Sequence, residues 1–302
     1  MSKSDEYLSP AATWAAIRSA ARMGSAAKGV STRDMVSLLL FDRLLARVFA
    51  GPDAPFVLKG GTRMLAFIPT ARATVDIDLE TSRYDVSAAV RHLEQLVGID
   101  IGDRLRFTLQ RQVRRVTSDD QPNISMVELT FEAVGTGQPV KIDLAVHDRA
   151  RAATVRAAPE FRIPLGREVP SPEYVMIATE EQIADKVAAM MERNHSGDGR
   201  SSRAKDLVDL ALIAQHLNCD AALLRRALDI QIQERNLTPF VRVDASPLIQ
   251  ASFATVAKKA ATLTLTWQEA EALTNRLIEP VLDGTVTTGT WDTAEGEWQR
   301  GE

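Results

Sequence analysis

The sequence is poor in the residues that build disulfides and zinc sites. It contains one cysteine and four histidines in 302 residues, and these histidines show no spacing typical of zinc ligands. The lone cysteine, Cys219, cannot form an internal disulfide. These scarcities exclude a disulfide framework and leave a hard metal ion on carboxylates as the metal site to look for.

Long apolar runs and an excess of one charge are also missing. No apolar stretch approaches the roughly 18 residues of a membrane span, and a net charge of -4 gives no global basic field. We expect a cytoplasmic protein that is neither exported nor embedded in a membrane. Any nucleic-acid partner would need local Lys/Arg patches. An apolar fraction of 45% is ordinary for one large domain or two modest ones.

Hydrophobic spacing predicts an α+β protein. Helical patterns cover residues 10–22 and the stretch after a capping box at Ser31-Thr32-Arg33-Asp34, and a short buried strand follows at Phe56-Val57-Leu58. From Leu105 to His147 the period is two, which predicts three half-buried antiparallel strands with turns at 119–123 and 135–137.

Beyond Pro170 and Pro172 the pattern is helical to about Leu282, with a loop at 197–199. We place a domain boundary near 165–172, which gives a domain at 1–168 and a helical domain at 169–302. The tail from Gly284 has no clear period and is expected to be loosely ordered.

The stretch Val75-Asp76-Ile77-Asp78-Leu79-Glu80 places apolar residues on one side of a predicted strand and its acids on the other. Two carboxylates about 5 Å apart at an effective dielectric of about 20 repel by roughly 3 kcal/mol. Exposure to water would offset this on an outward acidic face. Alternatively, a divalent cation binds between the carboxylates, and Mg²⁺ is the usual ion where phosphates also bind.

Gly60 and Gly61 lie at a predicted strand-to-helix junction, with Thr62 near the helix start. Such turns are commonly structural only. Followed by Asp-x-Asp on the next strand, however, the free N–H groups and the helix dipole favour a phosphate site beside a metal site. Asp143, on the polar face of a later strand, is either a surface residue paired with Lys or Arg or a third metal carboxylate.

These motifs resemble the polymerase-β-like nucleotidyltransferases, and within them the AbiEii-type toxins of type IV toxin–antitoxin systems. The resemblance is carried by Lys59-Gly60-Gly61-Thr62, by residues 72–79, by residues 141–144, and by two helical stretches, residues 181–186 and 203–210. It implies a nucleotidyltransferase core, with a mixed or antiparallel sheet and flanking helices, followed by a C-terminal helical domain that completes the active-site cleft.

The resemblance also implies roles for individual residues. Asp76, Asp78 and Asp143 would hold Mg²⁺ and serve as catalytic carboxylates. The nucleotide of an NTP substrate would bind Lys59, Gly60, Gly61, Thr62 and Thr74, together with Lys186, Asp206 and Asp209. Lys186 is implied as a catalytic phosphate-binding lysine, and either Asp206 or Asp209 matches a further family aspartate. Read from the helices alone, Lys186 could be merely solvated, and both aspartates could be structural.

Family resemblance further implies a tRNA whose 3′ end receives nucleotides, which inhibits translation, and a cognate antitoxin that could phosphorylate Thr74. Candidate phosphate contacts are Arg104, Arg106, Arg111, Arg114, Arg115, Arg149, Arg151, Arg156, Arg200, Arg203, Arg225 and Arg226. Two other readings stay open here: a nucleotidyltransferase that modifies a small molecule or protein hydroxyl, and a non-catalytic nucleotide- or RNA-binding module.

Overall fold

The computed structural model describes residues 7–28, 30–115, 124–148, 153–192, 202–260 and 262–299. The chain forms two compact units. The first unit comprises Met1–Pro69, Ala73–Ala150 and Thr154–Ile177, and the second comprises Thr70–Arg72, Arg151–Ala153 and Ala178–Glu302. The predicted turn at 119–123, the predicted loop at 197–199 and the candidates Arg149, Arg151 and Arg200 lie outside the described residues. The predicted division at 168/169 stays a prediction.

The first unit combines helices with a mixed sheet. Its elements are α1 (Pro10–Lys28), α2 (Thr32–Val48), β1 (Val57–Lys59), α3 (Gly60–Phe67), β2 (Ile77–Thr81), α4 (Val86–Val97), β3 (Phe107–Arg115), β4 (Ile124–Ala133), β5 (Gln138–His147), β6 (Thr154–Ala157) and β7 (Tyr174–Ile177). Within the described residues, seven strands form one sheet in the order β3-β4-β5-β2-β1-β7-β6. The predicted α+β class, with a mixed sheet flanked by helices, is confirmed.

Local signals explain where the helices of this unit begin. The Ser31 side chain caps α2 by accepting a hydrogen bond from the backbone N–H of Asp34, and Asp85 caps α4 in the same way through Ala88. Helix α2 packs on α1, α4 and β5. The three strands predicted from period two are also confirmed, because β3 pairs antiparallel with β4 and β4 pairs antiparallel with β5.

Strand β2 differs from its prediction. It begins at Ile77, so Asp76 precedes the strand, and Val75 is 75% exposed instead of facing the core. Glu80 is buried rather than outward. Two described strands of the first unit were not predicted: β6, and β7 in a segment predicted to be helical. All four residues of β7 are buried, and a short buried apolar run cannot be told from a helix by periodicity.

The interior of the first unit contains a charged cluster around Asp42. Its carboxylate accepts hydrogen bonds from the side chains of Arg43, Arg162 and Tyr174. Burial raises the pKa of Asp42, but the two guanidinium groups and the tyrosine hydroxyl outweigh it and hold that pKa below its ordinary value. The cluster therefore remains ionised at neutral pH.

The second unit is mainly helical. Its elements are α5 (Thr179–Met191), α6 (Ala204–His216), α7 (Ala221–Glu234), α8 (Pro247–Ala257), α9 (Trp267–Leu282), β8 (Thr290–Asp292) and β9 (Glu297–Gln299). The expectation of a loosely ordered tail is wrong, because β8 and β9 form an antiparallel hairpin. The fully buried Trp291 donates its indole N–H to the carbonyl of Ala214 at 2.8 Å. None of the helices in the described part of the chain combines the length and apolar character that crossing a membrane requires.

Candidate nucleotidyltransferase site

The junction between β1 and α3 requires glycine at two consecutive positions. Gly60 has φ of 64°, a left-handed conformation that L side chains rarely adopt, and a Cβ there would lie 1.8 Å from Oδ2 of Asp78. A Cβ on Gly61 would lie 2.7 Å from Oγ1 of Thr74. The glycine pair thus allows a carboxylate and a hydroxyl of the chain itself to approach the backbone closely, and the predicted approach of a phosphate to this turn stays a prediction.

Strand register brings charged residues of four adjacent strands into one row. Lys59 of β1 pairs with Asp78 of β2, Asp78 pairs with Asp143 of β5, and Asp143 pairs with Glu128 of β4. Paired residues of neighbouring strands lie about 4.8 Å apart and face the same side of the sheet. Asp78 and Asp143, 65 residues apart in the sequence, are therefore direct neighbours, as a shared site requires.

These acids perturb one another. Burial, together with the negative charges of Asp76 and Asp143, raises the pKa of Asp78 to about 6, although the positive charge of Lys59 opposes the shift. The backbone N–H of Gly61 also hydrogen-bonds Asp78 and lowers its pKa. Burial likewise raises the pKa of Asp143. A concentration of negative charge in a partly desolvated site favours the binding of a cation.

Two hydroxyls organise the loop that carries Asp76. Thr62 donates to the backbone carbonyl of Asp76 at 3.0 Å, and Thr74 donates to its Oδ1 at 3.0 Å. Both threonines are buried, Thr62 completely. Their hydroxyls therefore fix the position of Asp76 in this structure, and the predicted contact of Thr62 with a triphosphate stays a prediction.

Arg115, at the end of β3, contacts two acids of the row. Its Nη1 lies 3.2 Å from Oδ2 of Asp143, and its Nη2 donates to Oε2 of Glu128 at 2.6 Å. The hydrogen bond to Glu128, followed by the charges of the nearby carboxylates, raises the pKa of Arg115 despite partial burial. The sequence identified Arg115 only as a candidate RNA contact, because the β3–β4 register that brings it to Asp143 depends on a β-bulge between Leu109 and Arg111.

Glu80 lies two residues after Asp78; its carboxylate pairs with Lys59 and lies near His147. Its Oε2 is 3.2 Å from Nζ of Lys59 and 3.3 Å from Nε2 of His147. Lys59 is therefore fixed on the same face of the sheet as Asp78. The alternation of the strand predicted that Glu80 shares this face, but not that Glu80 is buried and paired.

The residues considered for binding a divalent cation are the three acids predicted from the sequence, Asp76, Asp78 and Asp143. In the described residues, no three Asp, Glu, His or Cys side chains converge in a geometry that would hold a metal ion. The donor set nonetheless fits a hard ion, since Asp76, Asp78 and Asp143 offer carboxylate oxygens and repel one another enough to raise the pKa of Asp78. Arg115 currently offsets part of the charge of Asp143.

The second unit contains a separate charged cluster. Nζ of Lys186 lies 2.5 Å from Oδ2 of Asp209 and 3.4 Å from Oδ1 of Asp206. Arg72 also donates to both carboxylate oxygens of Asp209, at 3.0 and 2.9 Å. Burial lowers the pKa of Lys186, but the two aspartates outweigh it and raise that pKa. Lys186 is consequently a buried, ionised residue rather than a solvated one.

The predicted site residues thus form two groups. The first unit brings together Lys59, Gly60, Gly61, Thr62, Thr74, Asp76, Asp78 and Asp143, and the second unit brings together Lys186, Asp206 and Asp209. Their assigned roles stay predictions. Arg72 was missed as a partner of Asp209 although it opens the motif at 72–79, since sequence spacing cannot pair residues 137 positions apart.

Several candidate RNA-binding arginines already have protein partners. Arg104 donates to the backbone of Tyr7, and Arg156 donates to that of Pro52. Arg225 pairs with Asp229. Like those three residues, Arg106, Arg111, Arg114 and Arg226 are exposed, and they stay candidates for phosphate contact.

Comparison with solved structures finds eight similar chains, and two of them are proteins of Helicobacter pylori. One, described as a candidate nucleotidyltransferase, is 15% identical with a TM-score of 0.48, and the match covers 85% of this chain and 99% of that one. The other, JHP933, is 16% identical with a TM-score of 0.47, covering 84% and 95%. A search of curated proteins finds no match.

A family model gives the assignment. The model described as "Nucleotidyl transferase AbiEii toxin, Type IV TA system" matches residues 43–294, most of the chain. Those residues include the glycine turn, the acidic row and the Lys186 cluster. The chain therefore belongs to the AbiEii nucleotidyltransferase toxin family of type IV toxin–antitoxin systems.

Proposed function

We propose that this protein transfers nucleotides from an NTP to the 3′ end of tRNA, which prevents charging and inhibits translation, and that a cognate antitoxin opposes it. The observation that carries the proposal is the register of Asp78 beside Asp143 next to the Gly60–Gly61 turn. This arrangement places carboxylates beside the glycine turn and the start of α3, where the phosphates of the NTP would bind in this proposal.

Asp76, Asp78 and Asp143 would hold Mg²⁺ in this proposal. When bound, the ion would supply activation of the attacking 3′ hydroxyl and neutralisation of the leaving pyrophosphate. The chain's own residues position the acids: Thr74 orients the Asp76 carboxylate, and the Gly61 N–H orients that of Asp78. Lys59, held by Glu80, contributes a positive charge beside Asp78.

The acceptor RNA would contact exposed arginines. Arg111 and Arg114 lie on β3, the edge strand of the sheet, and Arg106 immediately precedes it. Phosphate contacts of this kind weaken as the salt concentration rises. We expect tRNA to bind more tightly at low salt, and Arg111→Gln to bind it less tightly than wild type. This result would favour an RNA substrate over a small molecule.

The test is incubation of the purified full chain with Mg²⁺, each labelled NTP and total tRNA. We expect label on the RNA 3′ end with wild type, none with Asp76→Ala, and normal labelling with Asp53→Asn, which removes an exposed acid from the same unit. Label on protein or on a small molecule would mean that the substrate is not RNA but the labelled molecule. Equal labelling by wild type and Asp76→Ala would overturn the carboxylate assignment.

A further inference from the structure

Arg115 contacts Asp143, a carboxylate that the proposed site would need for binding a metal ion. Its Nη1 approaches Oδ2 of Asp143, the predicted third metal ligand, at 3.2 Å. A guanidinium and a divalent cation compete for the same carboxylate, since both are attracted by its charge and both require an oxygen lone pair. The contact with Arg115 therefore affects whether Asp143 can bind a divalent cation.

The second contact of Arg115, with Glu128, would keep its side chain in place if the contact with Asp143 were lost. Nη2 donates to Glu128 at 2.6 Å, and Glu128 is the direct cross-strand neighbour of Asp143. The side chain of Arg115 is 50% exposed, whereas that of Asp143 is 14% exposed. Arg115 can thus give up Asp143 while keeping Glu128, because different guanidinium nitrogens contact the two acids and the side chain is half-exposed to solvent.

We infer that Arg115 is a resident counter-cation of Asp143, which a divalent ion must displace before Asp143 can serve as a ligand. The inference rests on the proposed metal-dependent function. It makes Arg115 a positioning residue rather than a catalytic one. Without metal, Arg115 offsets part of the negative charge of Asp143 and Glu128, and in doing so it opposes the binding of a metal ion.

The inference predicts a gain of metal affinity on removing the guanidinium. A half-exposed ion pair contributes modestly, so Arg115→Gln should bind Mn²⁺ about fivefold more tightly than wild type. Arg114→Gln is the matched control, because it removes the same charge from the adjacent, exposed position on the same strand. We expect that control to change the affinity less than twofold.

The experiment is calorimetric titration of Mn²⁺ into the full chain without NTP, with electron paramagnetic resonance of the free ion as a second readout. Arg115→Met repeats the test if circular dichroism shows that the Gln variant is not folded. If the folded Arg115 variant binds Mn²⁺ no more tightly than wild type, the inference is overturned; an equal gain of affinity in Arg114→Gln would overturn it as well.

A fourth protein, Asp78→Asn, separates this inference from the proposed function. If wild type binds Mn²⁺ and Asp78→Asn does not, the metal site stands and the Arg115 comparison decides the inference. If wild type and Asp78→Asn show the same weak, unsaturable binding, the metal-dependent function itself fails, and the inference falls with it for a different, recognisable reason.

Discussion

Substitution of Asp209 by asparagine should destabilise the second unit strongly, and more than substitution of Lys186 by methionine. Asp209 is the shared partner of two cations: Lys186 at 2.5 Å, and Arg72 through two hydrogen bonds. The side chains of Asp209 and Lys186 are 1% and 7% exposed. Removing one member of a buried ion pair costs about 3 to 5 kcal/mol, because the other charge is left without compensation.

The two variants differ in what they leave behind. Asp209→Asn leaves both Lys186 and Arg72 beside a neutral amide, so we expect its destabilisation to lie in the upper part of the range of about 3 to 5 kcal/mol. Lys186→Met leaves Asp209 paired with Arg72 and Asp206 beside Arg203 at 3.6 Å. Its cost should therefore be about 1 to 3 kcal/mol.

Urea unfolding followed by tryptophan fluorescence measures these costs. Three of the four tryptophans, Trp267, Trp291 and Trp298, belong to the second unit, so the signal reports mainly on that unit. The double variant Lys186→Met/Asp209→Asn completes a cycle that isolates the coupling between the two residues. A smaller cost for Asp209→Asn than for Lys186→Met, or costs below about 0.5 kcal/mol for both, would refute a buried, ionised cluster.

Three further predictions concern other parts of the chain. Asp78→Asn should raise the metal-free stability at pH 8 by about 1 to 3 kcal/mol, by removing repulsion from Asp76, and should abolish any Mg²⁺-dependent rise in melting temperature; a fall in metal-free stability would contradict this. The pKa of Asp42 is held below its ordinary value of 3.8, so the stability that its ionised form contributes is present above pH 3.8 and is lost as the pH falls through the lower pKa of the folded state. The melting temperatures of wild type and Asp42→Asn, measured from pH 2 to 7, should therefore converge at the acid end. Trp291→Ala should cost about 3 to 5 kcal/mol in urea unfolding, and an unchanged midpoint would mean that the terminal hairpin does not support the second unit.

The sequence predicted those parts of the fold in which local pattern and burial agree. The period of two between Leu105 and His147 predicted β3, β4 and β5. In β4 and in much of β5, buried residues alternate with more exposed ones. The same reasoning failed for β7, whose residues are buried on both faces, and for Val75, which alternation placed in a strand that begins two residues later.

For the site, local pattern identified candidates but not their partners. Gly60, Asp78 and Asp143 were singled out from motif and alternation, and strand register then made the two acids neighbours. The contacts of Arg115 with Asp143 and of Arg72 with Asp209 join residues 28 and 137 positions apart. Such pairs follow from register and helix packing, which propensity and periodicity do not specify.

The geometry around Lys186 indicates how the roles proposed for Lys186 and for Asp206 or Asp209 can be separated by mutation. An incoming phosphate would have to replace one of the lysine's two carboxylate partners, and the contact with Asp206 at 3.4 Å is longer than that with Asp209 at 2.5 Å. Oδ2 of Asp206 is buried and accepts no hydrogen bond from the described residues, whereas Asp209 is also held by Arg72. Asp209 is therefore the anchor of the cluster and Asp206 is its exchangeable member. Loss of activity in Lys186 or Asp209 variants combines lost function with lost stability, so Asp206→Asn, which leaves the Lys186–Asp209 pair in place, is the variant that can isolate a role in nucleotide binding.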